Sequence, residues 1–237
     1  MHPKDLWDFD DPTGSEQRFR EAAAAATAPD AAAVWETQVA RALGLQERYD
    51  EGHRALDAIA PGLGPEVETR VALERGRLLR SAGDAGASAQ HFDDAARSAA
   101  HAGLEELHLD ALHMRIIVAP PELREPLTAD ALRIAAASSD PRARDWDGAL
   151  LNNLGMSRAD ADDFDAALEA FEQALVAFER IGDPARLRVA RWMVGWALRN
   201  LGRRADALAI QRALKTELDA LGEVDPYVDE EIALLEE

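Results

Sequence analysis

The chain has 237 residues, a net charge of −19 and no cysteine. The length suits one or two ordinary domains or a single elongated array, and the acidity argues against nucleic acid and anionic membranes as partners. Without cysteine there are neither disulfides nor thiolate metal sites.

Hydrophobic residues make up 47% of the chain but aromatics only 5%. The apolar share is mostly Ala and Leu, which lose little side-chain freedom in a helix. No basic-then-apolar leader pattern opens the chain and no long apolar run interrupts it, so a soluble, cytoplasmic protein is expected. Its cations are nearly all Arg, with Lys only at Lys4 and Lys215.

Taken in order, residues 1–14 read as an irregular, acidic arm with Leu6, Trp7 and Phe9 as apolar pegs. Those aromatics could dock on the first helices; the alternative is a disordered tail. Ser15 is placed to cap a helix running to about Ala26, which Pro29-Asp30 closes. From Asp30 onward two series of helix breakers interleave. One falls at Gly44, Gly83, Pro120-Pro121, Asp160 to Asp163 and Gly202, the other at Pro61 to Gly64, Gly103, Ser139 to Pro141, Gly182-Asp183 and Gly222. Each repeats about every 40 residues, which implies helical hairpins. Five fit, at about 30–61, 64–102, 103–139, 141–181 and 183–221. A last helix over 225–236 follows, with Asp225 as cap, Pro226 at its first position, and Val228, Ile232 and Leu235 on one apolar stripe.

The fourth hairpin carries the most specific pattern. Leu151, Leu154 and Gly155 lie on its first helix, and Phe164, Ala167, Phe171 and Ala174 on its second. Phe164, Leu168, Phe171, Leu175 and Phe178 recur at helical spacing and make one buried face. The fifth repeats the scheme with Val194, Gly195, Leu198, Ala207 and Leu214, Gln211 replacing the aromatic. The second keeps Gly76, Leu79, Phe92 and Ala95, the first Tyr49, Gly52 and Leu56. The third is weakest, with Leu112, Ile116 and Ile117 before a Pro-rich elbow, APPELREP. Small residues at the Gly155 and Ala167 positions let two helices approach while large ones fill the flanks.

These residues resemble the tetratricopeptide repeat (TPR), a helix–turn–helix unit of about 34 residues. The departure is Arg158, which stands where the pattern has Tyr. The longer spacing is similar to that of kinesin light chains and of bacterial regulatory TPR proteins. The expected fold is therefore all-α: a right-handed TPR-like solenoid of about five hairpins with an extra N-terminal helix and a C-terminal capping helix, residues 15–237 forming one repeat domain.

The resemblance also implies that the first helix of each hairpin lines a concave groove. Carried onto this chain, the groove positions are Arg41; Arg70, Leu73, Arg77 and Arg80; Arg115, with His108 in a less certain register; Asn152, Asn153, Met156 and Ala159; and Trp192, Trp196 and Arg199. Arg pairs with carboxylates, Asn with peptide backbone, and Trp with an apolar side chain. Each has a plainer reading. Trp192 and Trp196 could be core, Asn153 could bond a neighbouring helix, and the arginines could pair with acids one turn away, as Glu74 could with Arg70 or Arg77.

His101, Glu105 and His108 share spacings of four and three, but the break at Gly103 separates His101 from the others, so a metal site is not expected. The ADADD run at 159–163 is a turn in which Asp163 caps the following helix rather than a calcium loop. No HExxH, GxSxG, Walker or GxGxxG motif is present. The expectation is a non-enzymatic adaptor without cofactor or metal, a monomer or weak homodimer binding a peptide segment or helix with carboxylate groups. The alternative is a sensor whose groove takes a signalling peptide or metabolite.

Overall fold

The computed structural model describes residues 2–237, and among them thirteen α-helical segments and one 3-10 turn account for the regular structure. They form two compact units, residues 1–120 and 121–237. The division falls at Pro120-Pro121, inside the segment whose repeat pattern is faintest.

In the first unit the 3-10 turn Pro3–Leu6 precedes α1 (Pro12–Ala25), α2 (Pro29–Leu45), α3 (Tyr49–Asp57), α4 (Pro65–Ser81), α5 (Ala85–Ala102) and α6 (Glu105–Ile117). The first helix is not capped as expected. Asp11 accepts from the Gly14 amide and Pro12 occupies the first turn, while Ser15 is buried and exchanges hydrogen bonds with the Asp8 backbone. An aspartate followed by Pro is the stronger start signal. Gly103 takes φ 68°, a left-handed conformation that ends α5 and leaves His101 on a different helix from His108. No cluster of His and acidic residues suited to a metal ion occurs among the described residues.

The second unit holds α7 (Pro121–Ala137), the single turn α8 (Pro141–Arg144), α9 (Asp147–Asp160), α10 (Phe164–Ile181), α11 (Pro184–Asn200), α12 (Arg204–Leu221) and α13 (Pro226–Glu236). The Pro-rich elbow is shorter than expected. Pro121 opens α7, a position that lacks a backbone partner in any helix, and Pro126 lies inside the helix. Asp163 caps α10 by accepting from the Ala166 amide, and Asp225 caps α13 through Tyr227, both as read from the sequence.

Helix pairs pack through one repeated contact. In α4–α5 a Cβ added to Gly76 would lie 2.5 Å from Phe92 Cε1, and in α9–α10 a Cβ on Gly155 would fall into the Phe171 ring. In α11–α12 the same place is held by Gly195 against Gln211, 2.7 Å from its Nε2. Phe92, Phe171 and Gln211 are all fully buried. Around them close small and branched residues: Ala95, Ala99 and Leu73 in the first unit, Ala167, Val194, Ala197 and Leu198 in the second. Arg158, where the repeat pattern has Tyr, stays at the edge of this core. It donates to the Ala166 carbonyl and pairs with Glu125 on α7.

Val228 and Leu235 of α13 are buried, and Ile232 is half-buried against the cluster of Leu214 and Leu218, so the expected apolar stripe closes this side of the core. No helix among the described residues is long and apolar enough to cross a membrane.

The Gly155–Phe171 contact makes a direct prediction. Gly155→Ala adds a methyl where the ring already sits, and overpacking of this kind costs about 1–3 kcal/mol. Urea unfolding should show that loss of stability, against the small gain an exposed helical Gly→Ala change would give. An unchanged midpoint would mean the helices separate without cost.

Candidate functional site

The residues expected to line a binding face divide between the two units and are placed very differently by their partners. In the first unit Arg41 projects from α2, Arg77 and Arg80 from α4, and Arg115 from α6. Arg77 is engaged on both sides. It donates to Glu74 one turn earlier and to Asp110 on α6, and its side chain is largely buried. Arg70 pairs with Glu66 on its own helix. Arg115 turns towards α5, where its Nε donates to Asp93 at 2.9 Å. Asp110 and Arg115 are five residues apart on α6, roughly 140° around the helix, so Arg115 does not share the face that holds Arg77. Arg80 is exposed at the end of α4 and forms no ion pair with a described residue.

Arg41 differs from all of these. It is half-buried, and its guanidinium lies 5.2 Å from the Trp7 ring centroid and 5.4 Å from that of Phe9. No acceptor among the described residues takes a hydrogen bond from it, although Glu74 and Asp110 contribute to its electrostatic surroundings. Burial, together with the neighbouring Arg77 and Arg70, lowers its proton affinity, and the two carboxylates oppose this. The group stays charged at any ordinary pH.

Asp110 is the counterweight of the cluster. Burial alone would raise its carboxyl, but Arg77, with Arg41 behind it, outweighs burial and holds it below its ordinary value of 3.8. The same carboxylates push Arg77 upward against its own burial. Glu74 is buried with one oxygen on Arg77 and the other, Oε2, without a hydrogen-bond partner.

In the second unit Asn152, Asn153 and Met156 lie on α9 and Trp192, Trp196 and Arg199 on α11. Asn152 is half-buried, and its Oδ1 is enclosed with no partner. Asn153 is half-buried and engaged within the chain. Met156 and Trp196 pack at the margin of the core between α10 and α11, where Trp196 meets Phe164 and Phe171 edge-on at centroid distances of 5.4 and 6.4 Å. Trp192 stacks on Trp196 at 6.2 Å and meets Tyr227 of α13 edge-on. The two tryptophans therefore supply packing area while each keeps part of its surface exposed. Trp192 Nε1 is enclosed without an acceptor.

Arg199 is committed to structure. Its Nε and Nη2 donate to the two oxygens of Glu231 at 2.7 and 2.8 Å, clamping α11 to α13. Glu231 is 4% exposed, so a carboxylate in the last helix is drawn inward while Asp229, Glu230 and Glu236 remain outside. The sequence offered a hint, since Glu231 neighbours Ile232 on the inner side of that helix. The docking of the arm was also only half legible: Trp7 and Phe9 are plainly apolar, but nothing marked Arg41 as their seat.

Comparison with known proteins agrees with this architecture. No family model matches the chain, and no curated protein matches it. Among solved structures, BtubC (BKLC) from P. vanneervenii superposes with a TM-score of 0.63 at 18% identity, covering 95% of this chain and 94% of that one. The fold is TPR-like. A kinesin light chain protein of Podosopora anserina with nearly identical TPR-like repeats gives a TM-score of 0.60 at 15% identity, over 79% of this chain and 94% of the other. The apo form of the quorum sensor NprR from B. thuringiensis gives 0.67 at 12% identity, over 96% of this chain and 64% of that one. Identities this low establish the architecture and leave the ligand to the residues described above.

Two outcomes follow from the ion pairs. Arg199→Ala leaves Glu231 buried without its cation, which should cost about 3 kcal/mol by denaturant unfolding, whereas Arg199→Met with Glu231→Leu should recover most of that loss. A double variant as unstable as the single one would mean the pair does not hold α13. For Asp110, a carboxyl depressed in the folded state adds stability above its ordinary 3.8 and loses it as pH falls through the lower folded value. Stability measured from neutral pH down through this window should fall less steeply in Asp110→Asn than in wild type.

Proposed function

We propose that this protein is a non-enzymatic interaction module that binds a peptide segment or helix of a partner on the face of α2 and α4 in its first unit and on that of α9 and α11 in its second. TPR-like folds generally serve as non-catalytic scaffolds, and the side chains on these faces are suited to recognition rather than to bond-making. The observation that carries the reading is that, among the enclosed polar atoms of the second unit without a partner, two belong to half-buried side chains on α9 and α11: the Asn152 Oδ1 acceptor and the Trp192 Nε1 donor. Buried polar atoms are nearly always hydrogen-bonded, and one left without a partner costs about 1–3 kcal/mol. An acceptor and a donor left over on such faces suit the amide groups of an extended peptide. On the first unit, the exposed Arg80 and the acceptor-less Arg41 are local positive points on a chain of net charge −19. They favour a partner that brings carboxylates.

A second reading is supported by the similarity to NprR, which is a quorum sensor. In that reading the same faces take a small signalling peptide or metabolite and pass its arrival to a regulatory partner. The two differ in what binds first, and a thermal-shift screen separates them, since a ligand selective for the folded state raises its midpoint.

The interaction reading is tested by selecting a displayed peptide library against the full chain. Selected segments should be enriched in Asp and Glu, and Asn152→Ala combined with Arg80→Ala should weaken their binding about tenfold or more while thermal unfolding stays close to wild type. Undiminished binding to the folded double variant would remove both residues from the recognition surface.

A further inference from the structure

The arm ahead of α1 is the part of the molecule that the proposed function leaves unused, and it is bound tightly. At one end Lys4 Nζ lies 2.6 Å from Glu106 Oε1 and His2 Nε2 lies 3.2 Å from Glu106 Oε2, both reaching α6. At the other end Trp7 Nε1 donates to Gln38 Oε1 on α2 at 2.9 Å. Trp7 stacks on Phe9 at a centroid distance of 4.8 Å, meets Phe19 edge-on, and carries the Arg41 guanidinium over its ring. Between these anchors the Leu6 carbonyl accepts from Arg18 Nε at 3.0 Å.

A short segment thus runs from α6 to α2, the two helices that pack on either side of α4. Of its two anchoring helices it shares α2 with the faces from which recognition is proposed. Its contacts are those of a ligand: a cation on a largely buried carboxylate, an indole N–H on a buried amide, and aromatic faces under a guanidinium. With the arm in place Gln38 is 2% exposed, and the indole N–H satisfies its amide oxygen in that buried position. Phe9, in contrast, is 56% exposed, so this end of the arm is held by one face only.

We infer that residues 2–9 are an internal occupant of a peptide seat on the first unit, built from Glu106, Gln38 and Arg41. The seat takes from a partner a segment of the same chemistry, a cation followed at helical-turn distance by an indole, in exchange for the arm. The inference rests on the interaction reading but concerns a different face from Asn152 and asks for a different ligand. The arm acts as a competitor at high local concentration, so a partner binds appreciably only when the arm's own anchors are weakened or outmatched.

The probe is the free peptide HPKDLWDFDD, which reproduces His2 to Asp11. It is labelled and titrated against the full chain. Wild type should bind it weakly. Trp7→Ala, which empties the indole site, and Lys4→Glu, which sets the arm against Glu106, should each bind it at least about tenfold more tightly. Lys4→Glu leaves the Phe19 cluster intact and so guards against loss of folding in Trp7→Ala. Adding Gln38→Ala or Glu106→Gln to Trp7→Ala should remove the gain.

No gain in either arm variant would overturn the exchangeable seat, and a gain that survives both seat substitutions would place the peptide elsewhere. A wild-type dimer in size exclusion that disappears in Trp7→Ala would assign the seat to the arm of a second copy and overturn the partner reading. None of these outcomes depends on the peptide-library selection, so the two proposals fail separately.

Discussion

The structure depends on how closely two helices can approach, and that is set by a glycine facing a ring. Phe92 lies over Gly76 and Phe171 over Gly155, each pair occupying space that any larger side chain would need. Fully burying such a ring contributes about 2–3 kcal/mol, and the apolar residues beside it gain contacts only if the helices stay at this distance. The close approach is therefore a condition for the rest of the core, not one contact among many. Where the ring is replaced by Gln211 against Gly195, the geometry survives and a polar side chain is buried with its Nε2 near the Trp192 carbonyl. Shape at this position matters more than chemistry.

Electrostatics is layered onto this packing in a consistent way. Several arginines on the helices that could recognise a partner are matched by a carboxylate from the helix two places before or after: Arg77 by Asp110, Arg199 by Glu231, Arg158 by Glu125. Each pair joins residues roughly one hairpin apart in sequence, so it fixes neighbouring helices against each other. In the first unit Arg41 is held by aromatic faces in place of a carboxylate, which is why the arm and that arginine are best understood together.

Helix content, the breaks near every hairpin and the buried residues of α10 were legible because they depend on periodicity and on Gly, Pro and Asp at fixed offsets. Asp163 and Asp225 show how far such local rules reach. The start of α1 was misread because Ser15 and Asp11 both satisfy the cap pattern, and only the buried hydrogen bond of Ser15 to Asp8 decides between them. Side-chain roles were harder. Arg77, Arg80 and Arg41 look alike in sequence, yet one is enclosed by two acids, one is exposed, and one lies on a pair of rings. That difference comes from residues 33 positions downstream or 34 upstream, beyond any local pattern. The division at Pro120-Pro121 was likewise hidden in a region where the repeat signature fades.

The pairing of arginines with specific acids has a consequence for how such a surface could change. Arg77 is neutralised by residues that can be altered without touching it: loss of the carboxylates at both Glu74 and Asp110 would convert a structural tether into an anion receptor. The same holds for Asp93 beside Arg115. The scaffold thus carries latent positive sites, and its repertoire could broaden by the subtraction of acids, with no new basic residue required.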